Sequence, residues 1–316
     1  MNSPVGASFH LALSAAQAAA GGQHYPEGCL YVVATPIGNL ADITLRALTV
    51  LERADTVACE DTRHTAALLT QYGLHKPLLA LHQHNEAEAS QAVVARLQAG
   101  ERVAYVSDAG TPAISDPGAR LVRAVRDAGW RVMPVPGASS VTTLLCAAGI
   151  EPTPADPTAT GFAFIGFLPS KPKERERAVQ ALATESRSIV ILEAPHRIQE
   201  TASALSFLSN RLITVGRELT KQFEEVATVS CADLPSWLTA RPQRCKGEFA
   251  LVLHPLHQTG HTGDGLPPEA LHTLHLLLAE LPVKTAVRLA TDITRQPKNT
   301  LYEAALAWKA AQPDTD

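Results

Sequence analysis

The chain has 316 residues, more than the roughly 250 to 300 at which a single core stops growing, so two or more domains are expected. With 46% hydrophobic and 18% charged residues, and no apolar run approaching the ~20 residues that cross a bilayer, composition excludes both a disordered chain and a helical membrane protein. A formal net charge of -4 excludes binding of nucleic acid by bulk positive charge, so any such contact must come from local patches.

Residues 1–27 are Ala-rich and contain no Lys or Arg. They lack the basic region of a signal peptide and the arginines of a transit peptide, and read as a disordered or weakly helical extension. Leu30 to Ala34 is a short β-rich run stopped by Thr35-Pro36, and Ile43 to Ala54 has the apolar spacing of a helix, with Asp42 a candidate cap. Thr56 to Cys59 gives a second strand, ending at Glu60-Asp61-Thr62-Arg63, and a helical stretch then runs to about Tyr72. Pro77 to Leu81 gives a third, ending at His82-Gln83-His84-Asn85-Glu86 ahead of another helix. Arg102 to Val106 and Arg131 to Val135 complete a strand–helix alternation, the pattern of a parallel sheet with helices packed on it, over residues 28–151.

A proline-dense break, Glu151 to Pro157, separates this from a second α/β unit over 158–254. Its strands are Phe162 to Phe167, Ser188 to Leu192, Leu212 to Val215, Val226 to Ser230 and Phe249 to Leu253, with helices from Pro172 to Thr184 and from His196. The later strands lie closer together, which predicts a mixed sheet. His254 to Gly265 reads as a linker. Beyond it, Pro268 to Leu281, Val283 to Thr294 and a final helix after Asn299 make a small module over 266–312 that resembles a helix-turn-helix.

Polar chemistry gathers where the strands end. In open α/β sheets ligands sit beyond the carboxyl ends of strands, and the strand Arg102 to Val106 runs into Ser107-Asp-Ala-Gly-Thr-Pro-Ala-Ile-Ser-Asp-Pro-Gly118. Gly110 and Gly118 permit close approach to the main chain, Pro112 and Pro117 stiffen the path, and Asp108 and Asp116 add acceptors. A tight surface turn uses the same residue types. The next strand ends in a second loop of small residues, Pro136-Gly-Ala-Ser-Ser140.

With Ala34-Thr-Pro-Ile-Gly-Asn-Leu40, Phe164-Ile-Gly-Phe-Leu-Pro169, Glu193-Ala-Pro-His-Arg197, Gly216-Arg-Glu-Leu-Thr-Lys221 and Lys246-Gly-Glu248, these segments resemble, in order, the tetrapyrrole methylase superfamily in its ribosomal-RNA branch. The resemblance covers all but the first 27 or so residues. The first loop departs from the Gly-x-Gly-x-Gly of tetrapyrrole-modifying members, which disfavours a tetrapyrrole substrate. The implied fold class is α/β: two α/β domains, a parallel sheet then a mixed one, with the donor cleft between them and the helical module appended.

The resemblance implies S-adenosylmethionine as methyl donor, with Pro36, Asp108, Ala109, Gly110, Ile114, Ser139, Ser140, Phe167, Leu168 and Leu219 as donor-binding candidates. Loop amides can satisfy its polar groups and Phe167 and Leu168 can face the adenine. It also implies methylation of a cytidine 2′-oxygen in small-subunit ribosomal RNA, and a homodimer. A ribose hydroxyl acceptor needs a general base, for which Glu60, Asp61 and His84 are the candidates. Glu60 to Arg63 is equally a helix start. Arg63, Arg197, Arg217 and Lys221 are candidates for holding phosphate.

On the helix Val283 to Thr294, Val283, Ala286, Val287, Ala290 and Ile293 share an apolar face, while Lys284, Arg288 and, in continuation, Arg295 make a basic stripe suited to RNA. Five cysteines without a C-x-x-C pair fit reduced thiols in a cytoplasm. His254, His257 and His261 have ligand-like spacing but lie in a Thr/Gly-rich stretch, so no metal is expected. Two other readings remain open at this point: a small-molecule methyltransferase of tetrapyrrole type, and a ligand-sensing nucleic-acid-binding protein.

Overall fold

The computed structural model describes residues 5–150, 161–256, 266 and 268–310. The chain divides into two compact units, Met1–Leu256 and His257–Asp316. The proline-dense segment Glu151 to Pro157 lies outside the described residues.

In the first unit, strands β1 (Cys29–Val33), β2 (Thr56–Cys59), β3 (Leu78–Ala80), β4 (Arg102–Val106) and β5 (Arg131–Val135) form a sheet in the order β3-β2-β4-β1-β5. Every pairing in it is parallel. Because β4 and β5 flank β1, the loops leaving all three strands emerge side by side. Helices cover both faces, as a parallel sheet of buried Val, Leu and Ala requires. On one face Leu48 and Leu51 of α2 (Leu45–Arg53) and Leu69 of α3 (Thr62–Gln71) pack with Tyr31, Val57 and Val106. On the other, Val93 and Leu97 of α4 (Glu86–Gln98) and Leu121 and Val125 of α5 (Ala119–Asp127) pack with Leu30, Val103 and Tyr105.

One local expectation changes. The start of α2 is capped by Thr44, whose side chain accepts from the Ala47 amide, and not by Asp42, which ends a short 3-10 turn capped by Asn39. The N-terminal extension, expected to be disordered or weakly helical, contains a helix, α1 (Val5–Ala20). Ala16 is fully buried against α2, the Thr49 hydroxyl donates to the Ala16 carbonyl at 3.2 Å, and Arg53 donates to the Gly21 carbonyl at 2.6 Å. Small residues let α1 lie close to its neighbour, a tertiary contact that local sequence does not announce.

The second sheet has the order β6-β7-β10-β8-β9, built from β6 (Phe162–Phe167), β7 (Ser188–Glu193), β8 (Leu212–Arg217), β9 (Glu225–Ser230) and β10 (Phe249–Leu253). Only β6 and β7 run parallel, so the sheet is mixed as expected. One face is covered by α7 (Pro172–Leu182), α8 (Ile198–Leu205) and α9 (Leu234–Thr239). The other is covered in part by α6 (Ser140–Ala147), whose Val141 and Leu144 reach Val190, Ala250 and Val252. That helix follows β5 of the first sheet, so it joins the two halves into one unit. The fit is tight: a β-carbon on Gly216 would lie 2.7 Å from Leu144.

His254 belongs to this core and not to a linker. It is buried, and its Nε2 lies 2.7 Å from the Thr214 hydroxyl. His257 and His261 lie outside the described residues, and among the described residues no cluster suits a metal ion.

In the second unit, α10 (Pro268–Glu280), α11 (Val283–Thr294) and α12 (Lys298–Ala310) enclose Leu274, Leu278, Ala286, Val287, Ala290, Leu301 and Ala305. His275 stacks on Trp308 with ring centroids 5.2 Å apart. Ile293 departs from the expected apolar face and is 61% exposed. It lies at the margin of that stripe, in the last turn. Lys284, Arg288 and Arg295 are all exposed; Arg295 ends the helix in a left-handed conformation, φ 58°, where the helix was expected to continue. No helix among the described residues is long and apolar enough to cross a membrane.

Candidate active site

The loops leaving β1, β4 and β5 are tied into one floor. Thr35 and Gly110 exchange both backbone hydrogen bonds, at 2.9 and 3.1 Å, and the Thr111 hydroxyl donates to the Ala138 carbonyl at 3.0 Å. Gly110 has φ +80°, a left-handed conformation that favours glycine, and a β-carbon there would sit 3.2 Å from Ile37. The rest of the β4 loop is anchored from behind. Tyr105 donates to the Pro117 carbonyl, and Glu86, buried at the start of α4, accepts from the Gly118 amide at 2.9 Å and the Arg120 amide at 3.2 Å. Glu86 thereby caps α5 from another helix, and a carboxylate is favourable at that positive helix end. Gly118 leaves room for this arrangement, since a β-carbon would lie 2.3 Å from the Tyr105 ring.

Above this floor lies a cavity of about 400 Å³, within the size range of small-molecule sites. Its first-half lining includes Ile37, Ala109, Gly110, Thr111, Ile114, Asp116, Ser139 and Ser140. The second sheet contributes Phe164 and Phe167, Leu192 to Pro195, Leu219 and Glu248 to Ala250. Ile114 and Phe167 are 55% and 50% exposed, an apolar surface suited to an aromatic ligand face. Ser139, Ser140 and Val141 bring the amino end of α6 to the cavity, where unpaired amides suit an anionic group.

Of the expected donor-binding residues, Ala109, Gly110, Ile114, Ser139, Ser140, Phe167 and Leu219 line the cavity. Pro36, Asp108 and Leu168 each adjoin a lining residue in the chain but are not part of the lining; Pro36 and Leu168 are buried. Leu219 arrives from a strained turn, with Glu218 and Thr220 on either side at φ 52° and 65°. Ile37 and the Glu193-Ala-Pro195 segment were visible as motifs without a donor role assigned to them. Their part in the wall depends on the second sheet facing the first, which no local pattern records.

The three expected bases separate. Asp61 caps α3 and holds Arg63 through both oxygens, at 3.2 and 2.9 Å, and these hydrogen bonds bring its pKa down to about 2. A carboxylate so held is a poor proton acceptor. His84 is exposed, edge-on to His82 at 6.0 Å, and outside the cavity lining. Glu60 is half-buried, and burial, then the nearby charges of Asp108 and Asp116, push its pKa up. The Asp61 amide donates to Asp108 at 3.2 Å, which brings the β2 and β4 loops together.

Three of the expected phosphate ligands have partners inside the fold. Arg217 is buried, 3.8 Å from Glu225, and donates to the Lys246 carbonyl. Arg197 lies 3.4 Å from Glu193 and donates to the Leu168 carbonyl. Lys221 bridges Glu218 and Glu248 at 2.9 and 3.1 Å. Each therefore has a carboxylate beside it within the fold, Glu225 being shared by Arg217 and Arg244, where the expectation had them free. Arg63 is exposed, and its surface pair with Asp61 is screened by solvent, so a phosphate can replace it.

The architecture and the chain both have known counterparts. The family described as Tetrapyrrole (Corrin/Porphyrin) Methylases matches residues 29–235, and the RsmI C-terminal HTH domain matches 264–309. The chain is 43% identical over 281 residues to the ribosomal RNA small subunit methyltransferase I of Pasteurella multocida, covering 88% of this chain and 97% of that one. It is 45% identical to the protein of that name from Pseudomonas aeruginosa, with 88% and 97% covered, and 44% to that from Escherichia coli O157:H7, with 89% and 95% covered. Among solved structures, a cobalt precorrin-4 methyltransferase superposes with a TM-score of 0.53 at 19% identity, over 73% of this chain and 98% of that one, which shows the fold alone. A family match across both sheets, together with relatives of 43 to 45% identity that are covered almost end to end, establishes that the chain belongs to the tetrapyrrole methylases, among the ribosomal RNA small subunit methyltransferase I proteins.

Proposed function

We propose that this protein transfers the methyl group of S-adenosylmethionine to the 2′-oxygen of a cytidine in small-subunit ribosomal RNA, acting in the cytoplasm as a homodimer. The observation that carries the reading is the cavity between the sheets, floored by Gly110 and walled by residues of both halves. Its chemistry fits the donor: amides of the β4 loop and the α6 start for the amino-acid end, Phe167, Ile114 and Leu219 for the adenine. When bound, the donor supplies an electrophilic methyl on a sulfonium. The chain's own task is alignment, because the departing sulfur becomes neutral and needs no protonation. The names of the relatives support the ribosomal substrate, and the match to a helix-turn-helix family supports a nucleic-acid contact by the terminal module.

The test is mass spectrometry of small-subunit ribosomal RNA from a strain lacking the protein, paired with methylation of that RNA by the purified chain. Loss of one 2′-O-methylcytidine, restored in vitro, is the expected result. An unchanged set of modified nucleosides overturns the reading.

How an acidic protein holds RNA is a separate matter, and the exposed stripe of Lys284, Arg288 and Arg295 is the proposed docking surface. Phosphate contacts release counterions, so Lys284→Glu with Arg288→Glu should weaken RNA binding and flatten its salt dependence by roughly one unit of slope per lost contact. Donor affinity, measured by calorimetry, should stay constant. Identical salt slopes for wild type and the double variant would make the stripe a merely solvated face.

A further inference from the structure

The turn Glu218-Leu-Thr-Lys221, which leaves β8, is built against its backbone preference. Glu218 and Thr220 both hold left-handed conformations, φ 52° and 65°, that residues with a β-carbon rarely adopt. Such strain persists only where the surroundings over-determine it, and it gathers at ligand sites. Here the surroundings are hydrogen bonds. The Glu218 amide donates to the Glu248 carbonyl at 3.0 Å, the Glu248 amide donates to the Glu218 carboxylate at 2.9 Å, and the Thr220 amide donates to the Glu224 carboxylate at 2.6 Å. Lys221 closes the turn, its Nζ donating to Glu218 at 2.9 Å and to Glu248 at 3.1 Å. The Lys221 side chain reaches those carboxylates by crossing the β1 loop. A β-carbon on Gly38 would lie 2.4 Å from Lys221 Cγ and 2.9 Å from its Cε. Gly38 does not have a left-handed φ, so the missing side chain serves the passage of Lys221 and not a backbone conformation.

Resting on the reading of the cavity as the donor site, we infer that Lys221 is a positioning residue for the methyl donor. It is a latch that folds across Gly38, gathers Glu218 and Glu248, and so sets the two walls of the cavity against each other. Ile37, next to Gly38, lines the cavity from the first half, and Leu219, inside the turn, lines it from the second. Both belong to the same apolar cluster, with Val141, Leu144 and Ala250. One side chain therefore lies on the loop that carries the first wall and ties down the turn that carries the other. Without its ammonium the Glu218 and Glu248 carboxylates repel each other. The strained turn also loses the bond that draws its last side chain back to its first, and Leu219 is released from the position the donor needs. This role differs from phosphate binding, because the Lys221 ammonium is spent on two carboxylates of its own fold.

The experiment is a double-mutant cycle read by calorimetry with S-adenosylmethionine, beside thermal melts and a salt series of RNA binding. Lys221→Ala removes the latch. Gly38→Ala leaves every charge in place and only obstructs the path of the lysine stem. Each should weaken donor binding by about 10- to 100-fold, the scale on which misplacement by an ångström is felt, while the melt keeps its cooperative transition. In the Lys221→Ala background the Gly38→Ala change should cost nothing further, because the Cγ and Cε atoms it would meet are gone. The salt slope of RNA binding should be the same for Lys221→Ala as for wild type. Unchanged donor affinity in either folded single variant overturns the inference, as do two losses that multiply in the double variant. A flatter salt slope with constant donor affinity also overturns it and makes Lys221 a phosphate ligand. If Lys221→Ala does not fold, Gly38→Ala decides alone, and donor affinity equal to wild type overturns the latch. A wild-type chain that binds no S-adenosylmethionine removes the donor reading and the inference together, whereas a binding wild type with equally binding variants removes only the inference.

Discussion

Gly110→Val should abolish binding of S-adenosylmethionine, with a loss in affinity of at least about 100-fold, while both sheets stay folded. Two effects act together. The residue has φ +80°, where a β-branched side chain is strained by about 1 to 3 kcal/mol. Its β-carbon would also begin 3.2 Å from Ile37 and project further from there, beside the cavity that both residues line. The loop cannot relax easily, because Gly110 is bonded to Thr35 through both its amide and its carbonyl. These contacts lie outside the packed faces of the sheet, so the expected cost to folding is the local strain alone. Calorimetry with the donor, beside a thermal melt, decides the matter. Unchanged affinity in a folded Gly110→Val protein would remove this loop from the donor site.

The second large effect concerns stability. Arg211 is buried, and its guanidinium donates to four carbonyls: His254 at 2.7 Å, Leu182 at 2.7 Å, Glu185 at 2.9 Å and Arg187 at 3.1 Å. It therefore closes the C-terminal end of α7, where carbonyls lack partners within the helix and a cation is favourable. It also ties the approach to β7 to the end of β10. Arg211→Met keeps much of the apolar stem but takes a donor from each of these carbonyls, of which Leu182 keeps the Glu185 amide at 3.2 Å. At about 1 to 3 kcal/mol for each buried group that water cannot reach, and allowing for partial rehydration, a loss of about 3 to 5 kcal/mol is expected. For a unit of this size that corresponds to a fall in Tm of roughly 10 °C. Donor affinity at low temperature should be retained, since Arg211 does not line the cavity. A fall of only a degree or two would show that water replaces the guanidinium without cost.

Much of this protein is written in short stretches of its sequence. Strands such as Thr56–Cys59, Arg102–Val106 and Phe249–Leu253 are apolar runs after at most one polar residue at the start, because strands buried on both faces need no polar side. The small-residue loops that follow β4 and β5 were legible for a related reason. A backbone that a ligand must approach excludes bulk, and Gly110 with Ser139 and Ser140 indeed line the cavity.

What the sequence did not contain is the set of long-range partners, and those decided the chemistry. Asp61, Glu60 and Asp116 are all acidic residues in loops. Only the fold makes one a helix cap tied to Arg63, leaves the second half-buried near Asp108 and Asp116, and brings the third to the cavity lining. Arg217 and Lys221 looked available to phosphate until Glu225, Glu218 and Glu248 were found beside them. The alanine-rich N-terminus had no strong periodic signal, yet the small side chain of Ala16 fits against α2. Strand periodicity and loop composition are local and survive in a one-dimensional reading. Burial, charge compensation and hydrogen bonding between residues such as Arg211 and His254 arise only when distant segments meet, and those set the proton affinity and availability of each side chain.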